Sequence, residues 1–344
     1  MSATSYAVSA KARAKFGKFL SMRDYSALLS CQSVAEVMVY LKSNTHFASA
    51  LSEVNERDVH RGRLEILLRQ NLFNEFDSLC RYDSGISAGF SRYVVEKTEA
   101  EQIIRFLILL NSNSTEKFIY QFPAFLSKHT ELDINKLANA RDFGEFLEAL
   151  SGTSYYGLLK NYKPDEEGRL PVSEIENKLY WRVLGNMLVL IKKKTKGSER
   201  SELESMFRTI NDYNIFSRIL RLKKYYNLPP EMLKANIKPE FSDFNRKVID
   251  KMCEASSSSE IFNIMRSTGR GKMIDKIGYK NASDISPRVQ YRVAKKYMYF
   301  SKNPSVVMVS FMFLCEIELM NVISLIEGIR YSVDQKTIQS LIIH

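Results

Sequence analysis

Apolar positions recur at intervals of three and four residues along nearly the whole chain. Phe143, Phe146, Leu147 and Leu150 fall on one helical face. Ile215, Ile219 and Leu222, with Phe216 and Leu220, do the same. The strict apolar–polar alternation of a half-buried strand is hard to find. The pattern predicts an all-α fold. Proline breaks helix interiors and restricts the residue before it. Phe122-Pro123, Lys163-Pro164 to Pro171, Leu228-Pro229-Pro230, Lys238-Pro239 and Ser286-Pro287 are therefore expected helix boundaries. The stretch 192–203, KKKTKGSERSEL, reads as an exposed loop or frayed helix end. The small-residue run 256–259 reads as an N-cap before an amphipathic segment.

The pattern also repeats. An opening helix reads SVAEVMVYL at 33–41, DFGEFLEAL at 142–150 and SSEIFNIM at 258–265. Its glutamates Glu36, Glu145 and Glu260 are 109 and 115 residues apart. A polar turn follows each helix: SNTHF at 43–47, SGTSY at 151–155 and STGRG at 267–271. A second helix carries Glu65 in LEILL and Glu176 in IENKL; in the third copy it starts near Pro287 and lacks the glutamate. Closing helices at 99–110, 210–223 and 316–330 align with Ile104, Asn214 and Asn321 in register. Three related helical units of about 110 residues, each large enough for its own core, imply a pseudo-threefold arrangement or a short solenoid. The expected domains are 1–126, 127–238 and 239–344, with approximate boundaries and room for the repeats to interleave.

Composition narrows the picture. The 344 residues include only 14 Gly and 8 Pro, and 45% are hydrophobic, which suits a folded chain of long helices. A net charge of +11 points to anionic partners, whether nucleic acid, acidic protein or lipid headgroups, without choosing among them. Cys31, Cys80, Cys253 and Cys315 are scattered among apolar neighbours with no CxxC pair, so four buried free thiols and no metal site are expected. Four reduced thiols suit the cytosol. The first thirteen residues lack an apolar signal core. The strongest apolar stretches, 103–110 and 306–315, fall short of the ~20 residues of a membrane-spanning helix, so a soluble or peripheral protein is expected.

Little here signals catalysis. His46, His60, His129 and His344 stand apart and read as lone surface histidines. In STGRGKM (267–273), Arg266 stands where a phosphate loop needs its first Gly, and Met273 where it needs Ser or Thr. Glu99/Glu101 and Glu316/Glu318 are two apart on a helix and do not face each other, which argues against a shared acid/base site. No catalytic, cofactor or metal residue is assigned. A basic helical repeat that tracks phosphates is the rival reading, although its Lys and Arg are dispersed rather than gathered in a stripe.

Several segments, taken in order, resemble the V/A-type ATPase subunit that is named C in bacteria and archaea and d in eukaryotes. YAVSAKAR (6–13) is similar to that family's opening helix, with Tyr6 and Arg13 in place. VAEVMVYLKSNTHFASAL (34–51) resembles its Glu-centred helix. IENKLYW (175–181) matches through Glu176 and Tyr180, NDYNIFSRILRLKK (211–224) through Asn214, and EIELMNVISLIEGIRY (316–331) through Glu316, Glu318 and Asn321. Ile104 departs from the Asn expected in the first copy. The resemblance implies three similar helical domains forming a funnel, with no active site and no cofactor. It implies a rotor subunit, one copy per complex, on the cytoplasmic face of the membrane. Its partners would be the central-shaft subunits of D and F type and the membrane ring of c or K type, coupling ATP hydrolysis or synthesis to H⁺ or Na⁺ transport, with no nucleic acid. On this reading Glu36, Glu65, Glu145, Glu176, Glu260, Asn214 and Asn321 hold helices together. Exposed Lys192, Lys193, Lys194, Arg270 and Lys272 are expected to contact ring or shaft.

Overall fold

The computed structural model describes residues 3–55, 61–80, 87–118, 129–279 and 281–344. Phe122-Pro123, the boundary at 126/127 and His60 lie outside them. Among the described residues every regular element is helical. The chain opens with α1 (Ala3–Phe16), α2 (Met22–Leu29), α3 (Val34–Asn44), α4 (Arg61–Cys80) and α5 (Ser87–Asn111). Three short helices, α6 (Ile134–Asn139), α7 (Phe143–Ala149) and α8 (Tyr156–Leu159), lead to the long α9 (Val172–Lys194) and α10 (Gly197–Tyr226). Then come α11 (Pro230–Ala235), α12 (Arg246–Glu254), α13 (Ser258–Arg266), α14 (Gly271–Ile274), α15 (Ala282–Phe300), α16 (Pro304–Arg330) and α17 (Gln335–Leu341).

These helices form two compact units. One comprises residues 1–86 and 191–344, the other 87–190. In the first, α16 is the central element and packs on α1, α4 and α15, while α10 packs along α15. Leu28, Met38, Leu41, Leu64 and Leu68 meet Leu319, Val322 and Leu325 of α16 and Ile338 of α17 in one buried cluster. Gly328 lets α16 and α17 approach, since a Cβ there would stand 2.5 Å from the Ile338 side chain. In the second unit, Phe106 of α5 stacks on Phe146 of α7 with ring centroids 5.1 Å apart and meets Phe118 edge-on at 5.2 Å.

Several boundaries follow the prolines. Pro164 to Pro171 lies between α8 and α9, and Pro230 occupies the first turn of α11. Two expectations are corrected. Ser286-Pro287 lies inside α15, because the Asn281 side chain accepts from the Ser283 amide and starts the helix five residues earlier. So near the N-terminus, Pro287 forfeits one intrahelical bond without ending the helix. The stretch 192–203 is almost wholly helical, with only Thr195 and Lys196 between α9 and α10. Arg200 makes this tight join possible by donating to the carbonyls of Lys192 (2.7 Å) and Thr195 (2.5 Å), which the end of α9 leaves without helical donors.

The apolar run at 306–315 is also longer than its sequence limits suggest. It belongs to the 27-residue α16, whose best 18-residue window has a mean hydropathy of 2.0, enough by length and composition to cross a membrane. That window is 78% buried within the protein, so packing accounts for its apolar character. Cys253 is buried, while Cys31 and Cys315 are half-buried; all three are free thiols. The side chain of Cys80 lies outside the described residues.

Candidate functional site

Each of the three opening helices starts with the same local device. Ser33 Oγ accepts from the Glu36 amide (3.2 Å), and the Glu36 carboxylate reaches back to the Gln32 amide (2.9 Å). Asp142 Oδ1 accepts from the Glu145 amide (2.9 Å), and Glu145 takes the Arg141 amide (2.7 Å). Ser257 Oγ accepts from the Glu260 amide (3.2 Å), and Glu260 takes the Ser256 amide (2.7 Å). Each is a capping box whose carboxylate reaches the residue before the N-cap, satisfying amides that the helix start leaves unpaired. The Ser256 amide and hydroxyl hold the Glu260 carboxyl below the usual range.

The turns after these helices are also alike. Thr45, Thr153 and Thr268 each donate a hydroxyl proton to a carbonyl of the preceding helix, at Leu41, Leu150 and Met265. Each hydroxyl also accepts an amide two residues on, from Phe47, Tyr155 and Arg270. Ten residues after each capping glutamate stands a side chain, His46, Tyr155 or Arg270, that reaches a buried carboxylate on a distant helix.

Those carboxylates are Glu318, Glu99 and Asp212. Glu318 on α16 accepts from the Leu20 amide (2.7 Å) and faces His46 Nε2 at 2.9 Å. Glu99 on α5 accepts from the Glu131 amide (2.6 Å), the Thr130 hydroxyl (2.9 Å) and the Tyr155 hydroxyl (2.7 Å). Asp212 on α10 accepts from the Asp243 amide (3.0 Å), the Ser242 hydroxyl (2.5 Å) and Arg270 Nε (3.0 Å). In every case one carboxylate binds a backbone amide just ahead of a short helix and a side chain from the turn that follows the capped helix. Each is a latch between a long helix and the segment around a capped helix: α5 with residues 130–155, α10 with residues 242–270, and α16 with residues 20–46.

The latches differ in charge. The Asp212 side chain is fully buried and is answered by Arg270, itself 25% exposed, which also pairs with Asp243 at 2.7 Å. Burial raises the Asp212 carboxyl above its ordinary value against the lowering by its hydrogen bonds. Burial pushes Glu318 up to about 8 and lowers His46, which favours the arrangement in which Glu318 keeps its proton and donates it to His46 Nε2. His46 is therefore no lone surface histidine, as its sequence context suggests. Burial also raises the Tyr155 phenol, which keeps it a donor to Glu99. Clefts of about 390 Å³ and about 200 Å³ both border Glu318. Among the described residues no group of three or more His, Cys, Asp or Glu is arranged to hold a metal ion.

The other predicted residues take varied positions. Arg13 donates from Nε to the Met298 carbonyl (2.9 Å) and from Nη2 to the Ser301 carbonyl (2.7 Å), tying α1 to the end of α15. Tyr6 is exposed on α1. Buried Glu65 pairs with Arg61 and Arg69, and Arg61 pairs in turn with Glu327. Its counterpart Glu176 is exposed on α9, as is Tyr180, so the two second-helix glutamates do different jobs. Asn214 accepts from the Ser286 hydroxyl, and Glu316 from Gln290 (3.1 Å). Buried Asn321 donates to the Tyr25 oxygen (3.1 Å) and the Ile343 carbonyl (2.7 Å) and accepts the Ile343 amide (2.9 Å). Lys192, Lys193, Lys194 and Lys272 are exposed. Arg270 is not an exposed surface charge, because its guanidinium is committed to Asp212 and Asp243.

Sequence reasoning misses two of the three latch acids. Asp212 has no local signal, and Glu99 reads only as one of a pair with Glu101. The one signal for them is an acid at intervals of 113 and 106 residues within each closing helix. The glycine of the failed phosphate loop also finds its reason. A Cβ on Gly271 would lie 2.2 Å from the Arg266 carbonyl oxygen, so only glycine lets the chain turn back on α13 there.

Comparison with known proteins gives two findings. The profile of a family described as ATP synthase (C/AC39) subunit matches residues 8–341. The C subunit of an A-type ATP synthase from Methanosphaera stadtmanae is 25% identical over 183 residues, which cover 51% of this chain and 44% of that protein. The chain thus matches less than half the length of this relative.

Proposed function

The chain belongs to the ATP synthase (C/AC39) subunit family, and from that premise we propose that it is the non-catalytic rotor subunit that joins the turning shaft of a V/A-type ATPase to its membrane ring. ATP hydrolysed or made elsewhere in the complex is then coupled to H⁺ or Na⁺ movement through it. The proposed place is the cytoplasmic face of the membrane, one copy per complex, with shaft subunits of D and F type on one side and ring subunits of c or K type on the other. The three repeats, 1–126, 127–238 and 239–344, belong to the same proposal.

The observation that carries this reading is the recurrence of the latch. A part that transmits torque must resist shear between its helices. Three buried carboxylates, each bonded to a backbone amide and a side chain from a segment distant in sequence, supply such resistance. Stable partner interfaces bury about 1,600 Å² in total, which calls for broad surfaces rather than a cleft. Lys192, Lys193, Lys194 and Lys272 are the proposed contacts. Arg270 leaves that set, since reversing it would strike the fold before any partner.

The test is affinity purification of the tagged protein from gently solubilised native membranes, with mass spectrometry of every co-purifying chain. Recovery of shaft, catalytic head and ring together is the expected result. Recovery of none of them, from a preparation in which the ATPase stays intact, would overturn the proposal.

A further inference from the structure

Two stretches of one-sided charge in the first unit meet in space. Residues 1–22 contain Lys11, Arg13, Lys15 and Lys18 and no Asp or Glu. Residues 285–315 contain Arg288, Arg292, Lys295, Lys296 and Lys302 and again no Asp or Glu. The Arg13 bonds to the Met298 and Ser301 carbonyls join these stretches, and Phe16 packs edge-on against Tyr299 with centroids 5.7 Å apart. The 390 Å³ cleft lies at this junction, with Arg13, Lys295 and Tyr299 in its lining.

The outer face of α15 continues the theme. Arg292, Lys296, Tyr299 and Phe300 stand at offsets of four, seven and eight, on one helical face, and all are exposed. Phe300 is 77% exposed and Tyr299 59%, and the exposed Lys302 follows directly. The acids bordering this end are already engaged. Glu75 pairs with Lys15, Glu202 accepts from the Ser301 hydroxyl (2.5 Å) and Asn303 Nδ2 (3.0 Å), and Glu318 lies buried in the lining of the cleft.

We propose that this edge, formed by α1 and the C-terminal half of α15, docks on anionic lipid headgroups. Lysines beside exposed aromatic rings at a helix end are the composition of a membrane–water interface. The rings sit at headgroup depth while the ammonium groups stay with the phosphates. Packing within the chain does not explain a phenylalanine that faces solvent, and an interfacial position does. The proposal rests on the placement of the chain in a membrane-attached complex.

The experiment is co-sedimentation of the purified full-length chain with vesicles of phosphatidylcholine, with and without roughly a third phosphatidylglycerol. Binding only to the anionic vesicles is expected. The double substitution Lys296→Gln and Lys302→Gln weakens it about 25-fold, at about fivefold per charge lost from a surface contact. Phe300→Ser weakens binding further at a salt concentration that screens the lysines, whereas Lys251→Gln, exposed on α12, which packs on α10, α11 and α13, leaves it within about twofold. Circular dichroism of each variant verifies the fold. Equal loss with Lys251→Gln would reduce the effect to net charge and overturn the assignment. So would no binding, or tighter binding to a single-stranded oligonucleotide than to the vesicles. Vesicle binding needs no other chain of the complex, so failed co-purification with intact vesicle binding would sink the rotor reading alone.

Discussion

The Asp212 and Glu318 latches occupy the same unit and share a backbone plan, yet they solve the burial of an acid in opposite ways. At Asp212 the turn supplies Arg270, and the carboxylate is balanced by a cation that a second acid, Asp243, also holds. At Glu318 the turn supplies His46, neither ring nor carboxyl favours its charge, and one proton serves both. The shared part of the plan is the amide that each acid accepts, from Asp243 or Leu20. Geometry is thus carried by the backbone bond, while the side-chain partner sets how each latch responds to pH and to substitution.

The largest effect expected from breaking this comparison is at Arg270. Arg270→Ala strands a fully buried carboxylate, and loss of one partner of a buried pair costs about 3–5 kcal/mol. Protonation of Asp212, already favoured by burial, brings the loss toward the lower end. Urea unfolding measures it, and a change below about 1 kcal/mol would show that the ion pair is not what holds this turn. Tyr155→Phe removes one hydrogen bond from Glu99 without opening a cavity, with an expected loss of about 1–2 kcal/mol in the same assay. Ser257→Ala removes a cap acceptor, and about 1 kcal/mol is expected. A loss as large as that at Arg270 would mean the capped helix matters more than the latch it positions.

The finest distinction is in pH. Between about 6.5 and 8 the unfolded chain has released the protons of both His46 and Glu318, while the folded chain keeps the one on Glu318. Its raised folded value means that stability is lost as pH climbs through that window. Just below that window the unfolded His46 regains its proton before the folded one does, so the slope from this pair shrinks. Glu318→Gln keeps an acceptor for Leu20 and a donor for His46 but cannot titrate. Melting temperatures measured across pH 6.5 to 8 should therefore fall less steeply in the variant, and parallel curves would rule out the shared proton.

What the sequence discloses divides along the same line. The capping glutamates are legible, because Ser33, Asp142 and Ser257 stand three residues before them and the signal is local. The threonine turns are visible as polar breaks for the same reason. The latch acids are not, because nothing near Asp212 announces a partner 58 residues away at Arg270. The asparagine register aligns Asn214 with Asn321, but Asn214 stands two residues after Asp212 and Asn321 three after Glu318. One residue turns a helix by about 100°, so the two asparagines face different neighbours, Ser286 in one case and Ile343 in the other. The apolar run of α16 likewise reads as too short for a membrane span; only the whole helix is long and apolar enough for one, and its neighbours bury most of it.

The bond from the Leu20 amide to Glu318 joins residues 298 positions apart. During synthesis the first is made long before the second. At the usual 5–20 residues per second, the N-terminal segment waits roughly 15–60 s for its carboxylate to emerge from the ribosome. Throughout that interval Leu28, Met38 and Leu41 lack the α16 residues that bury them. A nascent chain stalled before residue 318 keeps those residues uncovered, which makes it a natural client for chaperones.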